Sequence, residues 1–228
     1  MATSDSRIAE NLARVRARIA EAAQSAGRSP EEVRLVGVTK YVGLAEIRAL
    51  LAAGCTELGE SRPQALAERA TALAGEPIAW HLIGHLQRNK VARVLPYVRL
   101  IHSVDSMRLA EEIDRRATGP AAVLLEINVS GEPAKHGFAP DQVEPLLLEL
   151  AAYPNLHIRG LMTMASLEGG QSAAAEQFAS LRELRDKLSR VAPPNIQLKE
   201  LSMGMSGDFE VAIREGATIV RVGSALFE

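Results

Sequence analysis

A single cysteine, Cys55, occurs in 228 residues, so the chain can neither close an internal disulfide nor assemble a cysteine-rich zinc site. That scarcity suits a reducing compartment. No apolar run approaches the length of a membrane-crossing helix, and the opening residues lead into a mixed-charge segment without the apolar core of a secretory signal. A cytoplasmic location without membrane association is therefore expected. Surplus charge is missing too: 26 Lys and Arg stand against 28 Asp and Glu, a formal net charge of -2. No basic excess exists to displace counterions from a nucleic acid, so that class of partner is not expected. Aromatic residues make up only 4%, which leaves the core to Leu, Val, Ile and Ala.

What is present is ordinary globular material, 47% hydrophobic and 24% charged, enough to bury a core. Ile8, Leu12, Val15, Ile19 and Ala23 recur at helical spacing, and Gly27 reads as a glycine stop. Residues 34–40 are a nearly continuous apolar run rich in β-branched side chains, the pattern of a parallel strand covered on both faces, with Lys40 at its C-terminal end. A stripe of Leu44, Ile47, Leu50 and Leu51 follows, closed by Gly54, and a strand starts at Thr56. Ser61 is the expected cap of the next helix, with Pro63 in the first turn and Gln64 at the capping-box position.

Strand-like runs recur at 78–84, 100–104, 122–129, 158–164, 197–202 and 218–222, with helical patterns between them. The clearest helices carry Val143, Leu146, Leu147 and Leu150, and then Phe178, Leu181, Leu184 and Leu188, the second stopped by Pro193 and Pro194. Gly169 and Gly170 read as a strand-to-helix connection. Roughly eight strands alternating with helices, in a chain near the ~250 residues typical of such folds, predict an α/β architecture: a single (β/α)8 TIM-type barrel domain over residues 1–228, with an extra N-terminal helix, residues 1–28, packed on it.

In such a barrel, chemistry gathers at the C-terminal ends of the strands, and phosphate binds in the loops after strands 7 and 8. The tail of the chain matches. Residues 203–208 supply Ser206 and Gly207 ahead of a short helix with a glycine stop at Gly216, while the last strand carries Arg221 in an otherwise apolar run, followed by Gly223 and Ser224. Closing the barrel sets strand 8 beside strand 1, so Lys40, Arg221 and the Ser206/Ser224 pair should converge at one mouth. Singly, each has a plain role: Ser206 an N-cap, the glycines turn residues, Lys40 an exposed strand end, Arg221 a structural ion-pair partner. Together, an amine beside a phosphate cradle points to an imine-forming site, for either pyridoxal 5′-phosphate (PLP) or a sugar phosphate in an aldolase-like reaction.

Several segments taken together resemble the pyridoxal phosphate homeostasis protein family, from the first strand to the C-terminus. They are Leu35-Val-Gly-Val-Thr-Lys40, Leu58-Gly-Glu-Ser61, Trp80-His-Leu-Ile-Gly-His-Leu-Gln-Arg-Asn-Lys90, Lys135-His-Gly137, Arg159-Gly-Leu-Met162, Leu201-Ser-Met-Gly-Met-Ser206 and Val220-Arg-Val-Gly-Ser224. The resemblance implies the barrel domain of alanine racemase without its second domain, and a PLP carrier or regulator rather than an enzyme. By it, Lys40 holds PLP as a Schiff base, Ser206, Gly207, Gly223 and Ser224 cradle the phosphate, and Arg221 faces the pyridine nitrogen.

An arginine keeps its proton, so the ring would stay unprotonated and act as a weak electron sink, suited to holding the cofactor. A PLP-dependent amino-acid racemase is the alternative, disfavoured because Tyr41, Tyr97 and Tyr153 are the only tyrosines and none follows the lysine in the racemase context. The expected partners are PLP, free amino acids and, transiently, apo PLP enzymes, with the chain a monomer. Gly59-Glu-Ser61 stands where the family commonly has Gly-Glu-Asn, and the chain ends at Glu228, so any terminal helix is very short or absent. His81 and His85 show no third ligand in sequence, so no metal is expected. Lys90 and Lys135 read as rim charges, Tyr41 as pointing away from Lys40, and Cys55 as a small buried hydrophobe.

Overall fold

The computed structural model describes residues 4–166 and 168–228. Among them, eight parallel strands close in chain order into a barrel: β1 (Arg34–Val38), β2 (Glu57–Glu60), β3 (Ala79–Leu82), β4 (Val98–Val104), β5 (Ala121–Glu126), β6 (Leu156–Met162), β7 (Glu200–Ser202) and β8 (Ile219–Val222). Closure is made by β8 against β1, with Val36 opposite Arg221 and Gly37 opposite Val222. The expected fold class is thus the observed one, and no described helix is long and apolar enough to cross a membrane.

Helices α2 (Leu44–Ala52), α3 (Pro63–Ala72), α4 (Val91–Val94), α5 (Met107–Arg116), α6 (Pro140–Ala151), α7 (Gly170–Ser189) and α8 (Phe209–Arg214) return the chain between strands, and α9 (Ser224–Phe227) follows the last one. They pack on the barrel through one large apolar cluster, which includes the predicted Val143, Leu147, Leu150, Phe178, Leu181 and Leu188. A separate small cluster of Val36, Leu100, Leu124, Met162 and Ile219 fills part of the barrel interior. The interior is therefore packed rather than open, as side-chain layering in these barrels requires.

The N-terminal helix α1 (Ser4–Ser25) buries Ile8, Leu12, Val15, Ile19 and Ala23 as its spacing predicted. It lies across α2, α8 and α9, with Asn11 Nδ2 donating to the Leu226 carbonyl at 3.2 Å and Arg18 paired with Glu210. The predicted glycine stops share one geometry. At Gly27 (φ 69°), Arg28 N–H reaches back to Ala23 O at 2.9 Å, and the same bond recurs from Cys55 to Leu50 after Gly54 and from Ala217 to Ala212 after Gly216. These are Schellman ends, in which a left-handed glycine satisfies the last carbonyls and turns the chain toward the next strand.

Two local expectations are corrected. Ser61 does not cap α3: the helix begins at Pro63 and Arg62 occupies the cap position, without a side-chain bond. Proline fixes the backbone of the first turn one residue later than the hydroxyl pattern suggests. Regular β1 pairing also ends at Val38, so Lys40 stands two residues beyond the strand, in a turn. Strand alternation no longer governs Tyr41 there, and its ring lies 4.9 Å from Lys40 Nζ rather than on the opposite side.

The tightest backbone approach is at Gly160, where a Cβ would stand 1.9 Å from the carbonyl oxygen of Glu200. Because that atom belongs to the β7 backbone, Gly160→Ala should separate β6 from β7 and cost at least ~3 kcal/mol in urea unfolding. Gly119→Ala, which meets nothing within 4 Å, should stay within about 0.5 kcal/mol of the parent.

Candidate functional site

A cavity of about 510 Å³ opens at the C-terminal mouth of the barrel, in the range of small-molecule sites. Lys40, Ser206, Gly207, Arg221, Gly223 and Ser224, all singled out in the sequence, line it together. Apolar walls come from Val38, Val42, Ile83, Met164, Met205 and Phe227, and Tyr41, which is 85% exposed, stands at the entrance. Barrel closure is what joins residue 40 to residues 206–224.

The two phosphate-type loops are tied to each other. Ser206 Oγ accepts the Gly223 N–H at 3.1 Å, and Asp208 Oδ1 accepts the Met205 N–H at 2.5 Å. Ser206 therefore is not the N-cap of α8: Asp208 holds that position, which leaves the Ser206 hydroxyl proton free for a ligand. No atom lies within 4 Å of where a Gly207 Cβ would be, so the backbone there is open to approach.

The turn bearing Lys40 is clamped by a cluster that sequence spacing did not reveal. Arg69 Nη1 donates to Thr39 O at 2.5 Å and Nη2 to Val42 O at 2.7 Å, so one guanidinium grips the carbonyls on both sides of Lys40. Arg69 is held by buried Glu60, which also accepts from Thr39 Oγ1 at 2.5 Å. An Arg pinned by a buried carboxylate is a rigid fork, suited to fixing a backbone turn.

Beneath the cavity runs a buried polar chain. Arg221 Nη1 donates to Ser202 Oγ at 2.6 Å, and Nη2 to the Thr163 carbonyl at 3.0 Å. Ser202 Oγ lies 2.8 Å from His102 Nδ1, His102 Nε2 lies 2.8 Å from His81 Nδ1, and His81 Nε2 lies 2.5 Å from Glu57 Oε2. With both imidazoles neutral and Glu57 ionised, one donor pattern satisfies the chain. Arginine can only donate, so Ser202 is free to pass its own proton to His102 Nδ1; His102 then donates from Nε2 to His81 Nδ1, and His81 from Nε2 to Glu57.

Burial foremost, with the Arg221 charge also acting, pushes His102 well below the usual imidazole range, so it stays neutral. The hydrogen bond from His81 lowers the Glu57 carboxyl despite its partial burial. Burial brings Arg221 down to about 10, still a cation at neutral pH. Glu126, at the end of β5, is pushed up to about 7 by burial and then by the Asp105 charge, with Arg221 opposing.

His81 lies inside this chain rather than lining the cavity, and His85 faces Asp105 instead, so the two histidines do not converge. Lys135 pairs with Glu132 as a rim charge, and Cys55 is buried, with burial raising its thiol to about 11. Tyr97 and Tyr153 lie away from the cavity lining.

The family model for the alanine racemase N-terminal domain matches residues 10–228. Relatives described as pyridoxal phosphate homeostasis protein are 43% identical in Pseudomonas aeruginosa, over 97% of this chain and 95% of that one, and 42% identical in Aquifex aeolicus, over 96% of each. PipY of Synechococcus elongatus PCC7942, solved both without PLP and with PLP bound, is 36% identical over 97% of this chain and 100% of PipY, with TM-scores of 0.87 and 0.85. Alanine racemase of Clostridium difficile 630 is only 17% identical, with a TM-score of 0.74 over 97% of this chain and 55% of the racemase, and shows the fold alone. On its match to that family model and its identity to these relatives along nearly their whole length, the chain belongs to the pyridoxal phosphate homeostasis protein family.

Proposed function

We propose that the chain holds PLP in the cavity at the C-terminal mouth, attached to Lys40 Nζ as a Schiff base, and acts as a carrier in PLP homeostasis rather than as an enzyme. The observation that carries this reading is the meeting of Lys40 with Ser206, Gly207, Arg221, Gly223 and Ser224 around one cavity. The residues fit the group. A lysine amine suits its aldehyde, the tied loops at 206–207 and 223–224 offer hydroxyls and N–H groups for a phosphate, and Arg221 uses donors on two nitrogens inside the barrel while its other N–H groups remain for a ring acceptor. The names of the relatives and the PLP-bound PipY structure support the same ligand.

PLP, when bound, supplies an electrophilic carbonyl and an electron-withdrawing ring. The protein's own groups do the rest. Arg69 and Glu60 fix the turn that presents Lys40, Ser206 and its neighbours orient the phosphate, and Arg221 keeps its proton. The chain from Arg221 through Ser202, His102 and His81 to Glu57 holds the guanidinium in place and prevents it from turning to another acceptor. Racemisation needs an acid or base on each face of the substrate carbon. Tyr41 is the one tyrosine of the chain at the described cavity, and its ring sits against the Lys40 ammonium.

The purified protein should be yellow, and borohydride should bleach it and fix the cofactor to Lys40; Lys40→Ala should abolish both properties. Incubation with an apo PLP enzyme should transfer bound PLP in stoichiometric amount, and prolonged incubation with L-alanine should yield no D-isomer. Steady production of D-isomer would overturn the carrier reading. Ser202→Ala, which removes the acceptor of a buried guanidinium, should lower stability by about 2–3 kcal/mol in urea unfolding and weaken PLP retention, while leaving Schiff-base formation at saturating PLP intact. Unchanged retention would show that the buried chain does not hold Arg221 for the cofactor.

A further inference from the structure

Three loops on the β3–β5 side of the same mouth bring together side chains that the PLP site does not use. His85 follows β3, Asp105 follows β4, and His136 lies in the excursion after β5. One ligand atom from each lies within 4.8 Å of the other two. Nδ1 of His85 is 3.0 Å from Asp105 Oδ2, and Nδ1 of His136 is 3.7 Å from the same oxygen. The imidazole rings are stacked, 4.1 Å between centroids and 14° from parallel.

We propose that His85, Asp105 and His136 form a binding site for a divalent transition-metal ion of the zinc class. Two imidazoles and one carboxylate are a donor set that such ions prefer and that magnesium and calcium, which take oxygen ligands, do not. The spacing suits it as well: ligand atoms about 2.0–2.1 Å from a tetrahedral zinc stand roughly 3.3–3.4 Å apart, between the two distances observed. An ion pair with Asp105 needs only one histidine. Both Nδ1 atoms face the same carboxylate oxygen, and a metal ion would employ both of their lone pairs.

The supports of the site are also in place. Asp105 is only 10% exposed at its side chain, and its other oxygen, Oδ1, accepts from Ser106 Oγ at 3.0 Å, the kind of outer contact that orients a ligating carboxylate. The loop carrying His136 is pinned at its base, where Asn128 N–H donates to Phe138 O at 3.0 Å and Phe138 N–H to Glu126 O at 2.8 Å. Gly137 (φ 117°) allows that closure, since a Cβ there would stand 2.8 Å from Asn128 N. The histidines themselves are 42% and 59% exposed, so each ring can turn its lone pair toward the ion without disturbing the core. Three protein ligands leave at least one coordination position open, for water or for an anionic group entering the mouth beside Gly84.

The test is titration of the untagged, PLP-loaded protein, freed of metal by chelator, with Co²⁺ followed by visible absorption and with Zn²⁺ followed by calorimetry. One equivalent should bind, with a visible Co²⁺ spectrum of low coordination number. His85→Ala, Asp105→Asn and His136→Ala should each weaken binding at least tenfold, with unfolding midpoints near that of the parent, while His157→Ala, a histidine at the opposite mouth, should change nothing. The assignment is overturned if the parent shows no saturable one-equivalent uptake, or if the His85 and His136 variants bind as the parent does. It is equally overturned if binding is lost in Lys40→Ala and kept in both histidine variants, because the ion would then sit on the cofactor.

Discussion

The guanidinium of Arg221 is buried on the last strand, and among the described residues no carboxylate meets it in an ion pair, so its charge must be accommodated through hydrogen bonds at a distance. Leaving a buried donor without its acceptor costs about 1–3 kcal/mol, and more when the donor is charged, which makes the acceptors of Arg221 structural necessities. Ser202 and the Thr163 carbonyl are those acceptors, and the two histidines carry the connection on to Glu57. The position of the cation at the mouth is in this way fixed by groups along the interior. A ligand that requires a donor at that point finds it already oriented, without reorganisation when it binds.

The interior of the barrel is consequently divided. Val36, Leu100, Leu124, Met162 and Ile219 supply apolar packing, and beside them the polar chain links each member to the next by a hydrogen bond. No buried side-chain nitrogen or oxygen among the described residues lacks a partner. A fully satisfied network of this kind selects one arrangement of its members, whereas a partly satisfied one would weaken the core. The Glu60–Arg69 pair does comparable work outside the barrel wall, where it fixes backbone carbonyls rather than a side chain.

Strand order and the glycine ends at 27, 54 and 216 were legible because each depends on residues close in sequence: period, β-branching and a left-handed glycine. The cavity residues were legible for a different reason. Once eight parallel strands are counted, the ring must bring strand 8 to strand 1, and the only question is which side chains stand at those ends. The buried chain was hidden, since Glu57, His81, His102, Ser202 and Arg221 come from five strands and no spacing links a residue to one across the barrel. Arg69 was hidden because the groups it clamps beside Lys40 are main-chain carbonyls, which any residue supplies. Ser61 and Tyr41 were misplaced where regular structure gives way to a turn, and rules of alternation and capping lose their grip within one or two residues. The meeting of Asp105 and His136 with His85 was out of reach, because three separate loops had to be placed in space first.

The first helix lies over α2 on one side and α8 and α9 on the other, so it bridges the seam where the ring of strands is joined. Lys40 stands on the early side of that seam and Arg221 on the late side. During synthesis on the ribosome, the lysine emerges some 180 residues before the arginine and the final serine that complete its cavity. On the reading proposed for the site, a nascent chain presents the Lys40 amine before the residues that complete its cavity, which is whole only when β8 has closed on β1 beneath the helix that was made first.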